Sequence, residues 1–167
     1  MPPQRMPRPA RKASEPGSAG RRPGAAGLRI TRFRMASRRA AVAPAVERVL
    51  AAARDARLDD EQTDNLAVAV AEALSNAAVH GNRLRPGTHV RVSVAVKPRV
   101  CAVVDITDSG EGFDVHAVSD PTQPDRVLAT GGRGVFLMRR LVDDIEYNEA
   151  GNRVRLTLAR RARRAAR

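Results

Sequence analysis

Valines at alternate positions, followed closely by a second apolar run, constrain the fold of this chain more than any other feature. Polar or small residues separate these valines, which predicts a strand with one buried face; they are Val90, Val92, Val94 and Val96. After a turn at Lys97-Pro-Arg99, residues 100–107 are apolar enough for a second, central strand. Two strands joined by a short turn form a hairpin, so the remaining elements have to pack around a sheet.

The rest of the chain alternates between helix and strand patterns. Ser37 is a candidate cap for a first helix, Asp59 or Asp60 begins a second that runs to about His80, and Gly81 fits its end. The order β-α-α-β-β-loop-α-β-β predicts an α/β two-layer sandwich, with a mixed, mostly antiparallel sheet and helices on one face. The predicted segments are strand 28–35, helix 38–57, helix 59–80, strand 90–96, strand 100–107, helix 134–141, strand 145–149 and strand 153–158.

The charge of the chain lies in its two ends. The 167 residues suit one domain and carry a net charge of +12. Residues 1–27 have a net charge of +5, and residues 159–167 contain five arginines, which leaves +2 on residues 28–158. We expect a disordered basic tail, a globular domain and a basic C-terminal tail. Such tails are either solvated extensions or non-specific contacts for nucleic acid and acidic surfaces; no specific nucleic acid is predicted.

Cysteine content and hydropathy exclude several classes of protein. A single cysteine, Cys101, rules out an internal disulfide and a cysteine-based zinc site, and it fits a small buried apolar residue. No segment approaches the roughly 18–20 apolar residues that span a membrane. The N-terminal residues lack the continuous apolar stretch of a secretory signal. These features favour a cytoplasmic location.

A carboxylate and two glycines follow the second strand, in the sequence Asp108-Ser-Gly-Glu-Gly-Phe113. This order places one hydrogen-bond acceptor beside backbone that a flat ligand can approach, although an ordinary strand-to-turn exit has the same pattern. Residues 114–130 follow with few apolar side chains. A loop of this length in a compact domain is typically a lid or a binding loop.

Three polar side chains share one face of the second predicted helix. Glu72, Asn76 and His80 stand four residues apart. The carbonyl oxygen of an asparagine suits Mg²⁺, a hard cation that keeps substrate phosphates in its shell, and a glutamate one turn earlier can orient or deprotonate a hydroxyl group. The alternative is a solvated polar face.

A third motif, Gly131-Gly-Arg-Gly134, precedes the last predicted helix. Glycines at a helix N-terminus expose N–H groups to phosphate, with Arg133 as a candidate charge partner. The motif is neither a Walker A loop nor a Rossmann fingerprint. A tight turn explains it equally well when it is taken alone.

Together the three motifs resemble those of the GHKL ATPase superfamily, which includes gyrase, Hsp90, histidine kinases and MutL. Within it, residues 28–158 look most like the bacterial anti-sigma-factor serine/threonine kinases, which have the Bergerat-type ATP-binding fold. The N box is matched by Glu72-x-x-x-Asn76-Ala77, the first glycine box by Asp108-x-Gly110-x-Gly112, and the second, in a shortened form, by Gly132-Arg-Gly134.

The resemblance implies a role for each matching residue. Glu72 would be the general base, Asn76 would bind Mg²⁺, and Asp108 would accept the adenine amino group of ATP. Thr157 would reach the water network on the adenine side. The glycines would let the backbone approach the nucleotide or cover the phosphates, together with Arg133; they are Gly110, Gly112, Gly132 and Gly134.

The resemblance also implies an ATP-dependent kinase with two protein partners. One partner would be a sigma factor, and the other a STAS-type antagonist that receives phosphate on serine or threonine. A homodimer is also expected. The alternative from a different class is a non-catalytic, ATP-binding module for protein interaction.

Overall fold

The computed structural model describes residues 27–113 and 132–161. Five strands and three α-helices lie in these ranges, in the predicted order. Short 3₁₀ turns flank α1, and a π-helical turn, Ala77–Gly81, continues α2. The expected lid at 114–130 lies outside the described residues. The elements are β1 (Arg29–Ala36), α1 (Val42–Ala53), α2 (Asp60–Asn76), β2 (His89–Lys97), β3 (Cys101–Thr107), α3 (Gly132–Leu141), β4 (Asp144–Tyr147) and β5 (Arg153–Ala159).

The strands form one sheet in the order β1-β2-β3-β5-β4, and all four pairings in the described part of the chain are antiparallel. Alternate residues of β2, β3 and β5 are buried against the helices, which cover one face of the sheet. Val94, Val104 and Leu156 lie side by side across these strands and are almost completely buried. The predicted two-layer α/β sandwich is therefore confirmed.

Helix α2 occupies the centre of the helical layer and begins at a complete capping box. The Asp59 carboxylate accepts a hydrogen bond from Gln62 N at 2.8 Å, and the Gln62 side chain accepts one from Asp59 N. The amide nitrogen of Gln62 also donates to the Ala159 carbonyl at 2.6 Å. Ala159 is the last residue of β5, so the start of the expected basic C-terminal tail belongs to the folded domain.

The expected cap of the first helix differs in the structure. No side chain caps the 3₁₀ turn or α1, and the residue before the turn is Arg38. Ser37 is buried instead, and its hydroxyl oxygen accepts a hydrogen bond from Asn82 Nδ2 at 2.8 Å. Ser37 therefore bonds to a side chain 45 residues away and not to the backbone of the helix that follows it. A serine hydroxyl can form either kind of hydrogen bond.

The face of the sheet opposite the helices carries a charged cluster. The side chain of Asp105 on β3 is 16% exposed and accepts hydrogen bonds from Arg153 and Arg155 on β5 at 2.6–3.1 Å. Burial acts to raise the pKa of Asp105, but the two arginines outweigh it and hold the pKa below its usual range. This ion cluster joins β3 and β5 where Asp105 lies directly opposite Arg155.

Among the helices in residues 27–113 and 132–161, none has both the length and the apolar composition needed to cross a membrane.

Candidate functional site

Asp108 lies directly beyond β3 and is the buried carboxylate of the site. It is 8% exposed, on the helical side of the sheet, and its Oδ1 accepts a hydrogen bond from Gly110 N at 2.8 Å. Its own N–H donates to the Asn152 carbonyl at 3.0 Å. Burial raises the pKa of Asp108, although the Gly110 bond and the charge of Arg91 act in the opposite direction. Among the described residues the hydrogen bond from Gly110 falls on Oδ1, so Oδ2 is the candidate acceptor for a ligand.

The π-helical turn after α2 packs directly against this carboxylate. A Cβ atom added to Gly81 would lie 2.5 Å from both carboxylate oxygens of Asp108. A Cβ added to Gly110 would lie 2.8 Å from the Gly81 carbonyl carbon and 2.9 Å from Asp108 Oδ1. A Cβ at Gly110 would therefore collide with backbone, whereas a Cβ at Gly81 would fit only if the Asp108 side chain moved. The turn after β3 and the end of α2 meet with no space for a side chain between them.

Glu72 and Asn76 form a second group, one turn apart on α2. Asn76 Nδ2 donates to Glu72 Oε1 at 3.2 Å, and both side chains are half-buried. This bond uses the amide nitrogen, so the carbonyl oxygen of Asn76, which a cation would bind, stays without a donor among the described residues. Gly134 lies against the carboxylate, since a Cβ there would be 2.7 Å from Glu72 Cδ. The Glu72 carboxylate thus faces the positive end of the α3 dipole.

The third glycine motif lies within a helix rather than before one. Helix α3 begins at Gly132, so Gly132, Arg133 and Gly134 form its first turn. The sequence pattern predicts a loop here with the helix starting at Gly134, so the helix begins two residues earlier than expected. The N–H groups of this first turn have no partner within the helix, which is the property that a phosphate-binding helix N-terminus needs. A phosphate role for Gly132 and Arg133 stays a prediction.

Gly112 is required by the chain path itself. It has φ of +78°, and a Cβ there would lie 2.7 Å from the carbonyl carbon of Ala150 in the turn between β4 and β5. Phe113 follows and packs edge-on against Tyr147, with ring centroids 5.3 Å apart. Burial raises the pKa of Tyr147; the charge of Arg139 opposes the increase and the charge of Glu72 adds to it. The aromatic pair links the turn after β3 to the end of β4.

The structure brings most of the predicted site residues together at the carboxyl end of α2, but two stay apart. Thr157 pairs with Val103 and Asp144, between the buried residues Leu156 and Leu158, so it lies on the opposite face of the sheet from Asp108. Thr157 therefore does not face the side of the sheet on which its predicted contact with the adenine-side water network would lie. His80 is exposed and lies in the π-helical turn that follows Asn76.

Two asparagines at this site are not among the residues predicted from the sequence. Asn82 is buried, and its Oδ1 accepts a hydrogen bond from Ser109 N at 2.8 Å. Asn152 receives the Asp108 N–H through its carbonyl oxygen and places its side-chain nitrogen 3.5 Å from the Gly110 carbonyl. Each asparagine directly follows a glycine, Gly81 or Gly151, and this Gly-Asn dipeptide is the only signal that the sequence offers for them.

The fold and the site define a class of protein, a two-layer sandwich with an acid-glycine turn after a central strand and a Glu-Asn pair on the neighbouring helix. Residues 35–158 match the family described as the histidine kinase-like ATPase domain, and this chain belongs to that family. The resemblance to the GHKL superfamily is thereby confirmed.

The chain is also similar to two curated proteins whose names state a function. The chain is 35% identical over 119 residues to the anti-sigma F factor of Heyndrickxia coagulans, which covers 65% of this chain and 79% of the relative. It is 30% identical over 94 residues to the serine-protein kinase RsbW of Oceanobacillus iheyensis, covering 53% of this chain and 59% of that one.

A solved structure supports the fold. The structure of the RsbU and RsbW domains of Rv1364c from Mycobacterium tuberculosis superposes with a TM-score of 0.55 at 16% identity and covers 83% of this chain. The match spans about a third of that longer protein, 34% of its chain. At this identity the likeness concerns the architecture alone.

Proposed function

We propose that this domain is an ATP-dependent protein kinase that phosphorylates serine or threonine on a partner protein and also acts as an anti-sigma factor. The observation that carries the proposal is the hydrogen-bonded pair of Glu72 and Asn76 near the end of α2, which packs against the first turn of α3. The π-helical turn that continues α2 packs against the Asp108 carboxylate. A kinase of this family needs a base, a cation ligand and an acceptor for the nucleotide base, and these residues supply all three types of group.

Asp108 and Asn76 would hold the two ends of the nucleotide. The buried carboxylate of Asp108 retains an acceptor for the adenine amino group, and the Asn76 carbonyl oxygen is a suitable single protein ligand for Mg²⁺. Bound Mg²⁺ would neutralise phosphate charge. The N–H groups of Gly132, Arg133 and Gly134 at the start of α3 would lie along the phosphates.

Glu72 would act on the hydroxyl group that receives phosphate. Its carboxylate is half-buried and is held in place from two sides, by the hydrogen bond from Asn76 and by the packing of Gly134. Phosphoryl transfer asks a protein mainly for positioning and charge stabilisation. A carboxylate held in one place can accept the hydroxyl proton of serine or threonine as the oxygen attacks.

The partners follow from the relatives rather than from any contact in this chain. One relative is named an anti-sigma F factor and another a serine-protein kinase. We therefore propose a sigma factor as the inhibited partner and a STAS-type antagonist as the phosphorylated one, with the kinase acting in the cytoplasm as a homodimer. Sedimentation at micromolar concentration tests the dimer, and a purely monomeric species would contradict it.

The second candidate is a non-catalytic ATP-binding module that exchanges partners without phosphorylating them. The close packing of Gly134 on Glu72 favours this candidate, because the carboxylate is already covered on one side. The two candidates agree on ATP binding and differ only in what Glu72 does.

Phosphate transfer decides between them. The full chain is incubated with Mg²⁺, radiolabelled ATP and a panel of STAS-type proteins from the same organism, beside the Glu72→Gln variant. Kinase activity predicts labelled serine or threonine with the wild type and at least about 100-fold less with Glu72→Gln, while ATP affinity stays the same. ATP binding without labelling of any panel protein would favour the interaction module.

A further inference from the structure

Asn82 joins three segments that are distant in the sequence. It is 3% exposed and follows the π-helical turn at the end of α2. Its Nδ2 donates to Ser37 Oγ at 2.8 Å, in the connection between β1 and α1, and its Oδ1 accepts from Ser109 N at 2.8 Å, in the turn after β3. The nitrogen and the oxygen of the side-chain amide are therefore both hydrogen-bonded. Loss of either bond would leave a buried polar group unpaired.

Ser109 is the residue between the buried carboxylate and its hydrogen-bond donor. Asp108 precedes it, and Gly110, whose N–H binds Asp108 Oδ1, follows it. The bond from Ser109 N to Asn82 consequently holds the middle of the turn on which the carboxylate is carried. Packing at Gly81 and Gly110 prevents the two segments from moving closer. The Asn82 bond keeps them from moving apart.

The same residue closes the π-helical turn. Asn82 N donates to the Ala77 carbonyl at 2.8 Å, five residues earlier, and Ala77 directly follows Asn76. Asn82 is thus attached through its backbone to the segment that carries Asn76, and through its side chain to the segment that carries Asp108. Wide helical turns of this type are frequent at functional sites.

We propose that Asn82 is a positioning residue that sets the place of the Asp108 carboxylate relative to the end of α2, and so determines recognition of the 6-amino group of the purine base. The inference rests on the proposed function, since it assigns Asp108 to that amino group. Asn82 itself does not contact the nucleotide. Its contribution is the alignment of the acceptor.

The test separates alignment from general stability by using two nucleotides. ATP and purine riboside 5′-triphosphate differ only in the 6-amino group, so the ratio of their dissociation constants measures the contact with Asp108. Calorimetry in Mg²⁺ is carried out on the wild type, Asn82→Leu and Ser37→Ala, at a temperature where each is fully folded. Asn82→Leu keeps a side chain branched at Cγ, although a larger one, and makes no side-chain hydrogen bonds, whereas Ser37→Ala disturbs the same buried cluster and leaves the bond to Ser109 in place.

We expect the wild type to prefer ATP, and Asn82→Leu to lose about 10-fold or more of that preference by weakening ATP alone. Ser37→Ala should unfold at a lower temperature and keep the wild-type ratio. If Asn82→Leu does not fold, Asn82→Ser takes its place with the same expected loss.

An unchanged ratio in the folded variant would overturn the inference, even if both nucleotides bound more weakly. Failure of the proposed function has a different result, because the wild type itself would then bind neither nucleotide.

Discussion

Replacement of Gly81 by alanine should remove nucleotide binding while leaving the domain folded. The new Cβ would lie 2.5 Å from both oxygens of Asp108, whereas atoms in contact normally lie about 3.5 Å apart. The carboxylate therefore has to retreat by about 1 Å. Gly81 does not have a positive φ, so the backbone accepts alanine and the whole effect falls on Asp108. A misplacement of this size costs about 100-fold where geometry determines the interaction.

The expected change in stability is small. Overpacking costs about 1–3 kcal/mol, and replacing glycine by alanine in a helical turn returns about 1 kcal/mol. The free energy of unfolding, measured by urea denaturation, should fall by no more than about 2 kcal/mol. Gly27→Ala is the matched control, because a Cβ there would have no neighbour within 4 Å. A folded Gly81→Ala variant that binds ATP as tightly as this control would refute the contact between Asp108 and the nucleotide.

Three further results are expected. In Gly134→Ala the added methyl group would press on the Glu72 carboxylate, so phosphate transfer to the acceptor protein should fall at least about 10-fold while ATP affinity changes less. Equal losses of phosphate transfer and of ATP affinity would contradict this. Asp105→Asn should lower the free energy of unfolding by about 1–3 kcal/mol without changing ATP affinity, because its arginine partners lie on the far face of the sheet. The pKa of Asp105 lies below its usual range, so this stabilisation is present at neutral pH and lost as the pH falls through the lowered value. Burial raises the pKa of Asp108, so ATP binding should weaken as the pH falls towards that raised value, since a protonated carboxyl loses an acceptor; an ATP affinity that stayed constant down to the pH at which the domain unfolds would contradict this.

The raised pKa of Asp108 also has a consequence for stability, with the opposite sign to that of Asp105. The folded protein holds the proton of Asp108 more tightly than the unfolded chain does. This group therefore favours the fold at low pH, and the benefit is lost as the pH rises through the raised value. At neutral pH the buried charge is a cost to stability, which is the usual situation for a group that serves binding.

The order of helices and strands could be predicted because it depends on local patterns. Alternating valines in β2 and the cap at Asp59 are short-range signals, and the structure agrees with both. The position of β5 between β3 and β4 could not be predicted in this way, since hairpin patterns do not say which strand a hairpin joins. The same limit applies to Ser37, whose partner Asn82 is distant in the sequence.

The end of α2 shows why the site itself was only partly predictable. A regular α-helix to His80 would keep Glu72, Asn76 and His80 on one face, but the α-helix ends at Asn76 and a π-helical turn follows. Within this turn His80 is exposed and Gly81 packs against Asp108. Such a turn depends on tertiary contacts, and nothing in the local sequence requires it.

Calorimetric titration of the full chain with ATP and Mg²⁺, wild type beside Asp108→Asn, measures how much the Asp108 carboxylate contributes to nucleotide binding. The side-chain oxygen of asparagine can still accept the Gly110 N–H, so the variant should fold and, freed of the buried charge, be at least as stable as the wild type. We expect Mg²⁺-dependent binding in the wild type and at least about 100-fold weaker binding in the variant. Equal affinity in the two proteins would contradict the assignment of Asp108, and no binding in either would contradict the nucleotide site as a whole.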